Sequence, residues 1–113
     1  MKFMWFHLMP YTELPEDFRD AHPSVWGFLR LFLAPGMGHC GGGPGPDTFD
    51  ALGALDKWVT QRTAPDKIIA SHLANGFADR TRPLCAYPLQ ARWNRSGSSD
   101  DAGSFTCKAV IHR

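Results

Sequence analysis

Apolar positions along the chain form three short runs that predict strands and one amphipathic stretch that predicts a helix. The runs Met1–Met9 and Phe28–Ala34 are continuous rather than alternating, which is typical of strands covered on both faces. Asp66–Ser71 predicts a third, shorter strand. Between the second and third runs, apolar residues recur at helical spacing. They are Phe49, Leu52, Leu55 and Val59, flanked by Ala51, Ala54 and Trp58.

Glycine and proline set the predicted boundaries between these elements. Six of the eleven glycines lie between Gly36 and Gly45, so this segment, with Pro46, is expected to be an irregular loop. Asp47 or Thr48 is expected to cap the helix and Pro65 to end it. The middle of the chain is therefore predicted as strand, glycine loop, helix and strand, which is one α/β unit.

Other local signals complete the predicted organisation. Residues 14–18 are expected to form a turn into a short helix, with Pro15 near its start. Gly53 lowers helix propensity but would allow the helix to pack closely on a sheet. Residues 76–113 have turn and loop composition, so the tail is expected to be rich in loops.

Length and charge limit the classes of function. A chain of 113 residues suits one domain at most. The formal net charge of +1 gives no electrostatic case for binding nucleic acid or an anionic membrane. The longest apolar run is too short to span a bilayer. The amino terminus does not fit a signal peptide, because Pro10 interrupts the apolar stretch after Lys2.

The glycine loop contains two candidate chemical motifs. Gly36-x-Gly38-x-x-Gly41 matches a dinucleotide-binding fingerprint by letters, but the predicted helix starts too late for its amino end to face a pyrophosphate. No cofactor is therefore expected. The other candidate is His39, because a loop just past the carboxyl end of a strand presents a side chain at the rim of a sheet. For a lone histidine, an ordinary surface position is the alternative.

The three cysteines, Cys40, Cys85 and Cys107, leave at least one without a partner in this sequence. Three free thiols are one possibility. A metal site is not expected, because neither Cys-x-x-Cys nor His-x-x-x-His spacing occurs.

Residues 28–107 closely resemble the histidine-bearing segment of the tannase and feruloyl esterase family of α/β hydrolases. The resemblance is carried by PGMGHCGGGPGP, DTFDAL, APDKIIASH, TRPLCAYP and GSSDDA. It implies a partial α/β-hydrolase fold consisting of the last strand, the catalytic-histidine loop, a helix, a short strand and a loop-rich tail. Residues 28–113 would then be the carboxy-terminal segment of such an enzyme.

The resemblance also implies the chemistry of the segment. His39 matches the general base of a Ser-Asp-His triad, and the substrates would be plant phenolic esters such as gallates and hydroxycinnamates. Cys85 and Cys107 would form a disulfide bond. Cys40 matches a cysteine bonded to one beside the nucleophilic serine, so it would be unpaired here. By family, the protein would be secreted or periplasmic.

The sequence departs from the family because it contains neither the nucleophilic serine nor the catalytic aspartate, and it has no G-x-S-x-G elbow. The chain is therefore expected to be inactive alone. Ser71 and His72 are neighbours on a predicted strand, so they would point to opposite faces and could not act as a pair.

Residues 1–26 resemble the start of bacterial-luciferase-like flavin monooxygenases, where His7 would lie near the flavin. A boundary is therefore expected near residue 27, with residues 1–26 packing poorly, or only opportunistically, against the rest. Two alternative functions follow: a flavin-dependent monooxygenase named from residues 1–26, and a non-catalytic chimeric fragment.

Overall fold

The computed structural model describes residues 3–7, 27–39 and 41–110, which form short sheets and one helix. In chain order the elements are β1 (Phe3–His7), β2 (Leu29–Leu33), β3 (Thr48–Phe49), α1 (Ala51–Gln61), β4 (Lys67–Ala74), β5 (Phe77–Cys85), β6 (Leu89–Trp93), a 3-10 turn (Ala102–Ser104) and β7 (Phe105–Ala109). The helix predicted at residues 14–18 lies outside the described residues, as does Cys40.

The first two apolar runs form the predicted strands, and these strands pair with each other. β1 and β2 run parallel in a continuous five-residue register, from Phe3 opposite Leu29 to His7 opposite Leu33. The prediction that residues 1–26 pack poorly is wrong for this strand, because a full ladder of backbone partners joins it to β2. The boundary near residue 27 stays a prediction.

An antiparallel sheet of β3, β4 and β5 contributes half of the described core, namely Ile68, Ala70 and Leu84. β4 and β5 form a long hairpin whose turn places Asn75 and Gly76 at positive φ, as a tight hairpin turn requires. The core residues on β2, β4, β5 and the segments after them are less than 10% exposed. They are Phe32, Ala34, Ile68, Ala70, Leu84 and Ala86.

The two sheets meet at the end of β5. Phe32 and Ala86 form an isolated antiparallel bridge, and the amide of Tyr87 donates to the carbonyl of Leu31 at 2.8 Å. β2 therefore neighbours the chain just after β5 rather than β4. The predicted strand, glycine loop, helix and strand occur in this order along the chain, but the unpredicted strand β3 lies between the loop and the helix. The two predicted strands are also not adjacent parallel partners.

Helix α1 begins and ends at residues other than those predicted. Asp50, not Asp47 or Thr48, is the cap, and its Oδ1 accepts from the Gly53 amide at 2.8 Å. A Cβ at Gly53 would collide with the Asp50 carboxylate, so this glycine makes room for the cap. The helix ends at Gln61, and Arg62 follows in the left-handed region, before Pro65 is reached.

The predicted buried face of α1 is also wrong. Leu52 is 77% exposed and Val59 is 59% exposed, whereas Trp58 is only 4% exposed. The guanidinium of Arg30 on β2 lies 4.8 Å from the centre of the Trp58 ring, a cation–π contact. Since the helix starts at Ala51, Phe49 is not part of its apolar stripe, and the face is set by Ala54 and Trp58.

The tail is built from strands, not the predicted loops. β5 continues to Cys85, and β6 pairs antiparallel with β7 from Leu89 opposite Ala109 to Trp93 opposite Phe105. A disulfide bond joins Cys85 to Cys107, with Cα atoms 5.7 Å apart, so the β6–β7 pair is tied to β5. In the described ranges no helix is long and apolar enough to cross a membrane.

Candidate functional site

His39 lies in the glycine loop, defined here as residues 34–47, which connects β2 to β3. The loop starts at the carboxyl end of β2, as the sequence predicted, and its described residues, 34–39 and 41–47, form no helix. The preceding residues Phe32 and Ala34 are 0% and 3% exposed, whereas His39 itself is exposed. The chain therefore passes from the buried core at Ala34 to the surface at His39 within five residues.

A small hydrogen-bonded turn holds His39 at its tip. The Gly38 amide donates to the Gly42 carbonyl at 2.8 Å, and the Gly41 amide donates to the Gly38 carbonyl at 3.3 Å. A second closure lies at the base of the loop, where the Gly45 amide donates to the Gly36 carbonyl at 2.9 Å. His39 thus lies in a turn closed by backbone hydrogen bonds, within a loop whose base is closed by a further hydrogen bond.

The turn needs glycine at particular positions. Gly42 and Gly43 have φ of +72° and +87°, in the region that residues with a Cβ seldom adopt. A Cβ at Gly43 would also meet the carbonyl oxygen of Gly36 and lie 2.9 Å from the amide nitrogen of Gly38. The glycine density therefore reflects a backbone folded tightly on itself.

Asp47 connects the tip of the loop to the sheet. Its Oδ2 accepts from the Gly42 amide at 2.6 Å, and this hydrogen bond is the main reason that its pKa is lowered below the ordinary value. The Asp47 amide donates to the Ser71 carbonyl on β4 at 3.2 Å. Sequence reasoning assigned Asp47 to the helix cap and missed this role.

A histidine–carboxylate pair lies on the β4–β5 hairpin. Nδ1 of His72 lies 2.6 Å from Oδ1 of Asp79, and the pair lowers the pKa of Asp79. Ser71 is opposite Thr81 and Thr48 in the two strand ladders. The pairing of His72 with Asp79 was missed because it depends on the hairpin register, which has a bulge between His72 and Leu73.

The other predicted site residues are divided between the described and undescribed parts of the chain. The Cys85–Cys107 bond that the resemblance implied is confirmed. Cys40, which the resemblance implied to be unpaired, lies outside the described residues, so this stays a prediction. No group of three or more His, Cys, Asp or Glu residues that could hold a metal ion occurs within residues 27–39 and 41–110.

The phosphate-binding alternative for the glycine loop fails on geometry. The first helix after the loop starts at Ala51, well beyond Gly41, so its amino end does not lie within the glycine turn.

A cleft of about 330 Å³ lies between α1 and β4, and His39 is not among the residues lining it. The residues at its rim include Asp50, Lys57, Gln61 and Lys67.

Comparison of the sequence with known proteins identifies the family to which the chain is similar. Residues 12–108 match the family model for tannase and feruloyl esterase. The match begins upstream of the boundary predicted near residue 27. The chain is 50% identical over 107 residues to the mono(2-hydroxyethyl) terephthalate hydrolase of Piscinibacter sakaiensis, covering 92% of this chain and 18% of that protein. It is 38% identical over 101 residues to a probable feruloyl esterase of Arthroderma benhamiae, covering 86% of this chain and 19% of that protein.

Solved structures agree on the fold. Feruloyl esterase B of Aspergillus oryzae superposes with a TM-score of 0.76 at 22% identity, covering 95% of this chain and 26% of that chain. An esterase of the same organism superposes with a TM-score of 0.67 at 28% identity, covering 76% and 20%. The chain thus spans about a fifth of the length of the curated relatives described above. On the match of its residues 12–108, the chain belongs to the tannase and feruloyl esterase family.

Proposed function

We propose that this chain is the histidine-bearing segment of a serine-type carboxylic ester hydrolase, and that His39 is its general base. The observation that carries the proposal is the exposed position of His39 at the tip of a closed glycine turn, directly after the buried end of β2. In α/β hydrolases the triad histidine occupies a loop after a core strand and comes last in chain order.

The proposed role of His39 is to move one proton twice. The imidazole takes the proton from a serine hydroxyl as that oxygen attacks the ester carbonyl, and then gives it to the leaving alcohol. A second cycle with water releases the acid. An exposed imidazole can approach a serine on another part of the enzyme, since the described segment leaves it at the surface.

The serine and the aspartate are proposed to come from residues outside this sequence. None of the serines here lies in a G-x-S-x-G elbow, and the chain covers 18% of the Piscinibacter sakaiensis hydrolase. The same proposal gives Cys40 a disulfide partner outside this sequence, a cysteine beside that serine.

The proposed substrates are esters of aromatic carboxylic acids. The names of two relatives, a mono(2-hydroxyethyl) terephthalate hydrolase and a probable feruloyl esterase, share an aromatic acyl group. Plant phenolic esters such as gallates and hydroxycinnamates are the members of this class that we propose for this protein. The cleft between α1 and β4 is not lined by His39, so the acyl pocket is proposed to be formed elsewhere.

The Cys85–Cys107 bond supports a secreted or periplasmic location. Structural disulfide bonds persist in oxidising compartments and are rare in the reducing cytosol. The flavin monooxygenase alternative for residues 1–26 receives no support from the family match or from the relatives described above.

A chimera tests the proposal directly. This chain would replace the matching 107-residue segment of the Piscinibacter sakaiensis hydrolase, and hydrolysis of mono(2-hydroxyethyl) terephthalate would be measured. We expect an active chimera in which His39→Ala lowers kcat by roughly 10³-fold or more, because a triad member is lost. His72→Ala is the matched control and should change kcat only a few-fold. An active chimera that tolerates His39→Ala would refute the role of His39.

The chain alone should show no histidine-dependent ester hydrolysis. Without a serine within about 3 Å to deprotonate, an imidazole can only act weakly through water. The measurement is hydrolysis of methyl gallate and methyl ferulate by the purified chain and by its His39→Ala variant. Activity that is well above the imidazole background and disappears in the variant would mean that a complete site forms within this chain or between two copies.

A further inference from the structure

The contacts of Asp47 reach the turn that carries His39. The Asp47 Oδ2 accepts from the Gly42 amide at 2.6 Å. The Gly42 carbonyl in turn accepts from the Gly38 amide at 2.8 Å, which closes the turn around His39. The Asp47 carboxylate is therefore bonded directly to Gly42 at one end of the turn. Through Gly42 it is connected to Gly38 at the other end.

Asp47 is itself fixed to the core sheet. Its amide donates to the Ser71 carbonyl at 3.2 Å, and the next two residues form β3, with Phe49 opposite Ala70. Ala70 is 0% exposed, so β4 is a rigid base at this point. The chain of contacts runs without a gap from the buried strand to the tip of the loop.

The base of the glycine loop is closed without Asp47. The Gly45 amide donates to the Gly36 carbonyl at 2.9 Å, and Nη1 of Arg80 on β5 donates to the Pro44 carbonyl at 3.2 Å. Removing the Asp47 carboxylate should therefore leave the loop attached and release only its tip. The expected consequence is a misplaced imidazole in a folded protein.

We propose that Asp47 is a positioning residue for His39, which holds the histidine turn in register with the core sheet through the Gly42 amide. The inference rests on the proposed role of His39 as general base. Asp47 does not touch the reacting atoms in this proposal. It acts by limiting the positions that the imidazole can take, and a displacement of about 1 Å can lower a rate on the order of 10²-fold.

The charge of Asp47 strengthens the hold on Gly42. A hydrogen bond from an amide to a carboxylate is shorter and stronger than one to a neutral oxygen. The groups facing the carboxylate are the Gly42 amide, the Asp47 amide itself and the Thr48 hydroxyl at 3.4 Å, and His72 makes the smallest contribution to lowering the pKa of Asp47. Asp47→Asn keeps an acceptor oxygen and loses the charge, so it should have an effect between that of the wild type and that of Asp47→Ala.

Amide hydrogen exchange in the chain itself gives a test that needs no activity. In Asp47→Ala the Gly42 and Gly38 amides should exchange about tenfold faster or more, since a net hydrogen bond of about 1.4 kcal/mol corresponds to a tenfold change. The Gly45 amide should be unchanged. Asp56→Ala is the matched control, because Asp56 is an exposed carboxylate in the middle of α1. Unchanged exchange at both Gly42 and Gly38 would overturn the structural half of the inference.

Kinetics in the Piscinibacter sakaiensis chimera test the functional half. Asp47→Ala should lower kcat on the order of 10²-fold with KM changed less than about threefold, and Asp47→Asn should recover most of that loss. The melting temperature should stay close to that of Asp56→Ala, which separates positioning from a general loss of structure. An unchanged kcat, or an equal loss caused by global unfolding, would overturn the inference.

The two proposals fail in different ways. If His39→Ala keeps full activity, the general-base role is wrong, whatever Asp47→Ala does. If His39→Ala abolishes activity while Asp47→Ala does not change kcat, the general-base role stands and the positioning role of Asp47 alone is wrong.

Discussion

The glycine loop and the β4–β7 region are held in place by opposite means. The loop consists of backbone folded on itself, with hydrogen bonds between residues close in sequence, such as Gly38 with Gly42. The β4–β7 region is held by long antiparallel ladders and by a disulfide bond between residues 22 positions apart. Both regions contain a histidine and an aspartate, yet only the loop places its histidine at the end of a core strand.

This difference separates the residues proposed for chemistry from those that stabilise the fold. A turn with tightly packed glycines can fix an exposed side chain without burying it, which an exposed catalytic base requires. A ladder with a covalent bond stabilises the sheet without presenting any one residue. Substitutions in the loop should therefore change activity more than stability, and substitutions in the β4–β7 region should do the reverse.

Apart from the loss of His39 itself, the largest expected effect in this comparison comes from a Cβ in the glycine loop. Gly43→Ala should lower kcat of the chimera on the order of 10²-fold, because the new methyl group meets the Gly36 carbonyl and the Gly38 amide, and the turn must open. Gly76→Ala is the matched control in the β4–β5 turn, since Gly76 has φ of +81° but nothing within 4 Å of an added Cβ.

For Gly76→Ala we expect a loss of about 1–2 kcal/mol in the free energy of unfolding and little change in kcat, because only the left-handed backbone is strained. Steady-state kinetics and urea unfolding measure the two effects. If both variants lower kcat equally, activity is not more sensitive to the glycine loop than to the β4–β5 turn, and the proposed difference between the two regions is wrong.

The second expected effect is on the disulfide bond. Replacing both cysteines, Cys85→Ala with Cys107→Ala, should lower the free energy of unfolding by about 3 kcal/mol, because the unfolded chain gains freedom. Amides of β6 and β7 should lose protection from hydrogen exchange, whereas those of Gly38 and Gly42 should keep theirs. Treating the wild type with a reductant should reproduce the result. Equal loss of protection in the loop would show that the two regions do not behave independently.

The smallest expected effect is the pH dependence contributed by Asp79. Its pKa is lowered from the ordinary value of 3.8, mainly by the hydrogen bond with His72. A lowered pKa means that the carboxylate contributes stability above pH 3.8, and that this contribution is lost as the pH falls through the lower value in the folded protein. Asp79→Asn should therefore melt slightly below the wild type at neutral pH.

The difference between Asp79→Asn and the wild type should shrink as the pH drops below 3.8. Asp56→Asn is the control and should show no such convergence. Melting curves from neutral pH to about pH 3 measure the effect. If the difference in melting temperature between Asp79→Asn and the wild type grows on acidification, the His72–Asp79 contact does not stabilise the charged carboxylate as predicted.

Much of the loop could be predicted from the sequence, whereas in the β4–β7 region only strand β4 and the disulfide bond were expected. Residues 36–46 were predicted as a loop after a strand because glycine density acts locally, through the freedom of each backbone position. Strands β2 and β4 were predicted for the same kind of reason, β2 from a short continuous apolar run and β4 from the strand propensity of its residues. Where the predictions of strands and buried faces failed, pairing and packing with other elements decided the outcome.

The sequence by itself determined the family, the strand–loop–helix–strand order and the position of His39 after a strand. Only the tertiary structure decided the register that brings His72 to Asp79, the formation of strands from the polar tail and the burial of Trp58 rather than Leu52. It also decided that Asp50 caps the helix while Asp47 holds the Gly42 amide. Local propensity depends on neighbouring residues, whereas strand register and burial depend on pairing and packing with other parts of the chain. The choice between the two aspartates depends on the backbone geometry that brings an amide three or five residues away within hydrogen-bonding distance.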